Sequence, residues 1–129
     1  MHGGNTLSLT PPSFTSILLA LVLGPAAASS ADAPVRAFEI TASRFEFQPE
    51  RIEVQEGDLV KLTLRSADTT HGIAIPELKV KIKIPRGGAP VTAEFVASPP
   101  GTYTIKCSEY CGPGHKKMLG TLVVTGRAQ

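Results

Sequence analysis

From Ala37 to Thr125 apolar side chains return at every second position, in short runs that Gly, Pro or polar clusters cut off. Phe38, Ile40 and Ala42 alternate with Glu39 and Thr41, and Phe45 and Phe47 bracket Glu46. Arg51-Ile52-Glu53-Val54 repeats the pattern and stops at the turn Glu56-Gly57-Asp58. Leu59–Leu64, His71–Pro76, Val91–Val96, Thr102–Lys106 and Leu119–Thr125 follow, the last with Leu122 and Val124 facing opposite to Thr121 and Val123. A period of two is that of a half-buried strand, not of a helix. Seven or eight short strands at intervals of roughly ten residues predict an all-β fold, a Greek-key β-sandwich or small barrel. Loops gather at the two ends of such a fold. The loop bearing His71 can therefore meet the one that begins at Cys107.

The alternation is cleanest in Glu77–Pro85, where Leu78, Val80, Ile82 and Ile84 oppose Lys79, Lys81 and Lys83. An edge strand whose lysines face water and block sheet-to-sheet aggregation is the expectation. A docking stripe for an acidic partner or anionic lipid is the alternative. The chain has 129 residues, enough for one domain. Its 13 basic against 11 acidic residues exclude the strong positive field of a nucleic-acid binder.

The N-terminal end reads differently. Ile17–Leu23 is apolar, Gly24-Pro25 breaks it, and small residues follow to Ala31. That run falls short of the roughly 20 residues of a spanning helix. Residues 1–31 are expected to be a secretory signal peptide or a short N-terminal anchor, 32–36 a linker, and 37–126 the folded domain. Export to the periplasm or another extracytoplasmic space is expected, with membrane anchoring through the N-terminal segment as the alternative.

Both cysteines lie in one stretch, Cys107-Ser108-Glu109-Tyr110-Cys111-Gly112-Pro113-Gly114-His115-Lys116-Lys117-Met118. Two thiols, an imidazole and a thioether are soft donors, which select copper, zinc or iron–sulfur over magnesium or calcium. A disulfide between Cys107 and Cys111 would close a small ring and stabilise the fold little through chain entropy. Zinc accepts two Cys and two His, but has little use for Met118. A thioether beside thiolate and imidazole on an all-β scaffold points to electron-transfer copper. Cys111, His115, Met118 and His71 would suffice for a mononuclear blue-copper site and leave Cys107 idle. With both thiolates bridging, the same residues would hold two ions. Tyr110 is expected to pack within the loop, and Lys116 and Lys117 to be solvated at the border of any docking face.

The stretch resembles the C-x-E-x-C-G-x-x-H-x-x-M loop of the dinuclear CuA domain of cytochrome c oxidase subunit II. Asp68-Thr69-Thr70-His71-Gly72 and Ile75-Pro76-Glu77-Leu78 resemble that family's upstream segment, and Leu119–Val124 its exit strand. The resemblance spans Phe38 to Thr125 and implies a cupredoxin fold in a short or stand-alone form. It implies a centre of two copper ions with Cys107 and Cys111 as bridging thiolates and His71 and His115 as terminal ligands. Met118 and the backbone carbonyl of Glu109 would be weak ligands, one to each ion. Gly112 and Gly114 would allow a tight loop through positive φ, and Asp68 would organise the turn before His71. The function implied is electron transfer from a c-type cytochrome toward a haem–copper oxidase and its subunit I. A periplasmic copper-delivery protein and a mononuclear blue-copper carrier are the alternatives.

Overall fold

Alternation of apolar and polar residues closes the chain into two sheets packed face to face. The structure, a computed structural model, describes residues 2–4, 8–13, 24 and 33–128. Most of the leader expected at 1–31 lies outside the described residues. Among these, no helix is long and apolar enough to cross a membrane.

The described residues form nine strands: β1 (Val35–Ser43), β2 (Glu46–Gln48), β3 (Arg51–Gln55), β4 (Leu59–Ser66), β5 (His71–Ile75), β6 (Val80–Ile84), β7 (Val91–Val96), β8 (Gly101–Lys106) and β9 (Leu119–Thr125). One sheet has the order β2-β1-β4-β7 and the other β3-β9-β8-β5-β6. Two pairings are parallel, β1 with β4 and β3 with β9, and the remainder antiparallel. Residues alternate between core and solvent along most strands, β5 being buried at four of its five positions, which is why the polar half of the pattern survives in the sequence. Phe47, Ile40, Leu62, Leu64, Ile73, Ile75 and Leu122 fill the space between the sheets, all at most 2% exposed. Each such side chain contributes about 1.5–3 kcal/mol by leaving water.

Two expected boundaries move. Val35 and Arg36, placed in the linker 32–36 by sequence, already pair with Leu59 and Val60. The strand expected over Glu77–Pro85 begins only at Val80. Pro76–Leu78 forms a 3-10 turn, and Lys79 leaves it with φ +57°. The proline preset that turn, and the left-handed residue after it re-aims the chain into β6. The edge position foreseen for β6 holds.

The sandwich has two distinct ends. At one, Leu59 N–H donates to Pro34 O (2.9 Å), Glu56 N–H to Thr125 O (2.8 Å), and the Arg127 guanidinium to buried Asp58 (2.5 Å). At the other, β1 and β4 finish, β5 and β9 begin, and β8 delivers Cys107.

Candidate metal centre

His71 opens β5 facing inward and is fully buried. The segment before it is tied by short hydrogen bonds. Ser66 Oγ donates to Thr69 O, Asp68 N–H to Ser66 Oγ (3.2 Å), and Thr69 N–H to Asp68 Oδ1 (2.6 Å). The second loop is closed on itself. Cys107 N–H donates to Met118 O (3.3 Å), His115 N–H to Gly112 O (3.0 Å), and Met118 N–H to His115 O (3.2 Å) around a 3-10 turn at His115–Lys117. Ser108 N–H donates to Gly72 O (3.2 Å) and joins the two loops.

All six sequence-predicted residues converge. The Cys107 and Cys111 sulfurs are free and 3.7 Å apart, well beyond the roughly 2.05 Å of a disulfide. One donor of His71, Cys107 and Cys111 each lies within 4.8 Å of the others. The other donors divide between the sulfurs. Cys107 Sγ is approached by His71 Nδ1 at 4.0 Å and donates to Glu109 O at 3.2 Å. Cys111 Sγ is approached by His115 Nδ1 at 3.7 Å and Met118 Sδ at 3.8 Å. Each thiol thus has one imidazole and one weak donor of its own. Burial, then the hydrogen bond and charge of Cys107, push the Cys111 thiol up to about 11. A bound cation reverses that preference, because a coordinating thiol is deprotonated.

Asp68 does more than shape a turn. Its Oδ1 meets His71 Nε2 at 2.6 Å, which turns Nδ1 of the same ring toward the sulfurs. Carboxylates in this position orient metal-binding histidines. Partial burial pushes the Asp68 carboxyl up. The Arg44 N–H, the His71 ring and the Thr69 N–H outweigh burial and lower it from the usual 3.8 to about 2. Replacing Asp68 by Ala is expected to weaken copper binding about 10–100-fold, read by competition with a chelator. Because its pKa is depressed on folding, Asp68 stabilises the copper-free protein above pH 3.8, and that contribution is lost as pH falls toward 2. Urea midpoints of wild type and Asp68→Ala should therefore converge in acid.

Two residues not foreseen in the site are Arg44 and Phe45. The Arg44 backbone N–H donates to Asp68 Oδ2 (2.8 Å), and its Nε donates to Cys111 O (2.8 Å). One residue thus touches both ligand-bearing loops. The Phe45 ring lies under the second loop, 3.0 Å from where a Cβ on Gly112 would sit. Gly112 has φ +139°, as foreseen, but Gly114 has φ −90°. Gly114 is required for space instead. A Cβ there would come under 3.0 Å from three atoms of the Phe45 ring. Gly114→Ala is therefore expected to cost about 1–3 kcal/mol through overpacking alone. Adding Phe45→Ala should recover part of it, as a double-mutant cycle in urea will show.

Tyr110 does not pack within the loop. It is 77% exposed, with its ring centroid 5.7 Å from that of His115.

Residues 13–124 match the family model described as Cupredoxin-like domain. Cytochrome c oxidase subunit 2 of Thermus thermophilus is 34% identical over 85 residues, which cover 66% of this chain and 62% of that relative. The chain thus spans less than two thirds of that relative's length. Among solved structures, the periplasmic domain of subunit II of cytochrome oxidase from Bradyrhizobium japonicum superposes with a TM-score of 0.63 at 21% identity, covering 70% of this chain and 83% of that one. The metal-binding domain of the Cu(I)-exporting P-type ATPase of Streptococcus pneumoniae D39 gives 0.59 at 19% identity, covering 70% and 86%. At such identities these likenesses carry the fold.

Proposed function

Because this chain belongs to the family of cupredoxin-like domains, we propose that it is an extracytoplasmic electron-transfer domain built around a dinuclear copper centre. It would take one electron from a c-type cytochrome or similar donor and pass it toward a haem–copper oxidase. One observation carries this reading: the donors fall into two sets, each with a thiol, an imidazole and a weak donor. A mononuclear site would leave one of those sets without purpose. The donors also suit the metal, since thiolate, imidazole and thioether select copper.

Cys107 and Cys111 would bridge, with His71 and Glu109 O on the Cys107 side and His115 and Met118 on the other. When bound, the copper pair supplies a one-electron redox couple. The residues supply the rest. His71, Cys107, Cys111 and Met118 are buried and exclude water. The Asp68 carboxylate and the Arg44 guanidinium hold the two loops at a fixed separation, so the ligand cage keeps its shape. His115 is half-buried beside exposed Tyr110, and gives this end of the fold a path to the surface.

Copper analysis and EPR of the reconstituted chain test the reading. Two coppers per chain and hyperfine coupling shared by two nuclei are expected. One copper, with coupling to a single nucleus, overturns it. Loading in weak buffer at neutral pH should also release protons, because the Cys111 thiol is held at about 11.

A further inference from the structure

The outer faces of the two sheets differ in charge. On the four-stranded sheet Glu39, Glu46 and Glu94 stand among Lys61 and Arg65, and Lys61 lies 4.0 Å from Glu94. On the five-stranded sheet the outward strand residues include Lys81, Lys83 and Lys106, with Arg51 and Glu53 on β3. Glu53 is paired by Arg51 at 2.8 Å. Among the described outward strand residues this leaves three lysines and no unpaired carboxylate.

Register sets these groups in line. Lys81 lies opposite Ala74, Ala74 opposite Lys106, and Lys106 opposite Leu119. The row crosses β6, β5, β8 and β9 with small Ala74 in its middle, while Gly72, farther along β5, lies buried under the Ser108 and Glu109 side chains. It ends at a cavity of about 390 Å³ bordered by Lys106, Lys116, Leu119 and His115. Leu119 is 43% exposed there. Protection of an edge strand accounts for Lys81 and Lys83. It does not account for Lys106, because β8 is interior to its sheet, between β9 and β5.

The geometry points to the outer face of the five-stranded sheet as the docking surface for an acidic electron-transfer protein. Its carboxylates would meet Lys81, Lys83, Lys106 and Lys116, and its redox group would come to rest against Leu119 and His115. Opposite charge across such a surface speeds encounter and fixes orientation. An apolar contact at Leu119, beside a ligand imidazole, brings the partner's cofactor close. The inference rests on the copper reading for its purpose, but not for its binding surface.

The probes are two forms of one haem protein: mitochondrial cytochrome c, which is basic, and the same protein with its lysines succinylated, which is acidic. Binding to the ¹⁵N-labelled full chain, with and without Cu(I), is read from amide shifts, and electron transfer by stopped flow. The acidic form should bind at least about tenfold more tightly at low salt, and lose that advantage when the charges are screened. Shifts should concentrate at residues 72–74, 81–83, 104–106 and 115–119. The Lys81→Glu/Lys106→Glu variant should bind the acidic form at least about tenfold more weakly. Lys61→Glu, on the opposite face, should leave it unchanged. Equal or tighter binding of the basic form, or shifts on the four-stranded sheet, overturns the inference. So does binding of phosphatidylglycerol vesicles through these lysines that the acidic cytochrome fails to displace. Docking without electron transfer, in a chain that also lacks a two-copper EPR signal, supports the surface and removes the copper reading alone. A normal copper signal without docking removes the surface alone.

Discussion

Replacing Cys111 by Ser is expected to remove the proposed two-copper centre outright. Cys111 Sγ is the hub of the cluster, with Cys107 Sγ at 3.7 Å, His115 Nδ1 at 3.7 Å and Met118 Sδ at 3.8 Å. A serine hydroxyl is a hard donor that stays protonated at neutral pH, so the soft bridge is lost. The fall in copper affinity should exceed the roughly 100-fold that loss of an outer hydrogen-bond partner can cost. The two-nucleus EPR signal should vanish. Cys107→Ser should also abolish that signal, but less copper should be lost, because Cys111, His115 and Met118 remain together. A copper signal that survives Cys107→Ser unchanged overturns the bridging role. Amide spectra of the copper-free variants will separate loss of ligand from loss of fold.

Phe47→Ala carries the largest expected loss of stability. Phe47 sits at the centre of the three-residue strand β2, is 1% exposed, and is flanked by exposed Glu46 and Gln48. Its ring reaches β9, with Cδ2 3.5 Å from where a Cβ on Gly120 would stand. Truncation removes the ring and leaves a cavity between the sheets, a change that costs about 3–5 kcal/mol. Domains are stable by about 5–15 kcal/mol in total, so the variant should be marginal. Urea unfolding of the copper-free chain should show a lowered midpoint with unchanged slope. Glu46→Ala and Gln48→Ala should stay within about 0.5 kcal/mol of wild type. A loss below about 1 kcal/mol for Phe47→Ala would place the ring outside the core.

Much of the fold was legible because solvent writes the same period into sequence and structure. In β4, Leu59–Ser66, Val60, Leu62 and Leu64 are buried while Lys61 and Arg65 are exposed, as their chemistry requires. The second loop was legible because most of its donors lie within a few residues of one another, so spacing alone describes them. His71 was legible only through its neighbours Asp68 and Gly72. What escaped depends on contacts between distant positions. Arg44 meets Asp68 across 24 positions and Cys111 across 67, and no local pattern marks a residue for such partners. The reason for Gly114 escaped for the same cause, since its need for space comes from Phe45 in a different part of the chain. The late start of β6 depends on the backbone of Lys79, a residue type with no preference for the left-handed region.

Both described ends of the domain leave from one pole. Val35 begins β1 beside Leu59, and Thr125 ends β9 beside Glu56. Nine residues of β1 at about 3.3 Å each separate that pole from the two ligand-bearing loops by roughly 30 Å. Sequence joined at either terminus therefore acts as a leash from behind. An affinity tag, a fusion partner or a membrane anchor placed there leaves the His115 tip pointing away from its attachment. Grafting through Pro34 and Gly126 is the way to immobilise this domain on an electrode with its candidate metal centre toward solution.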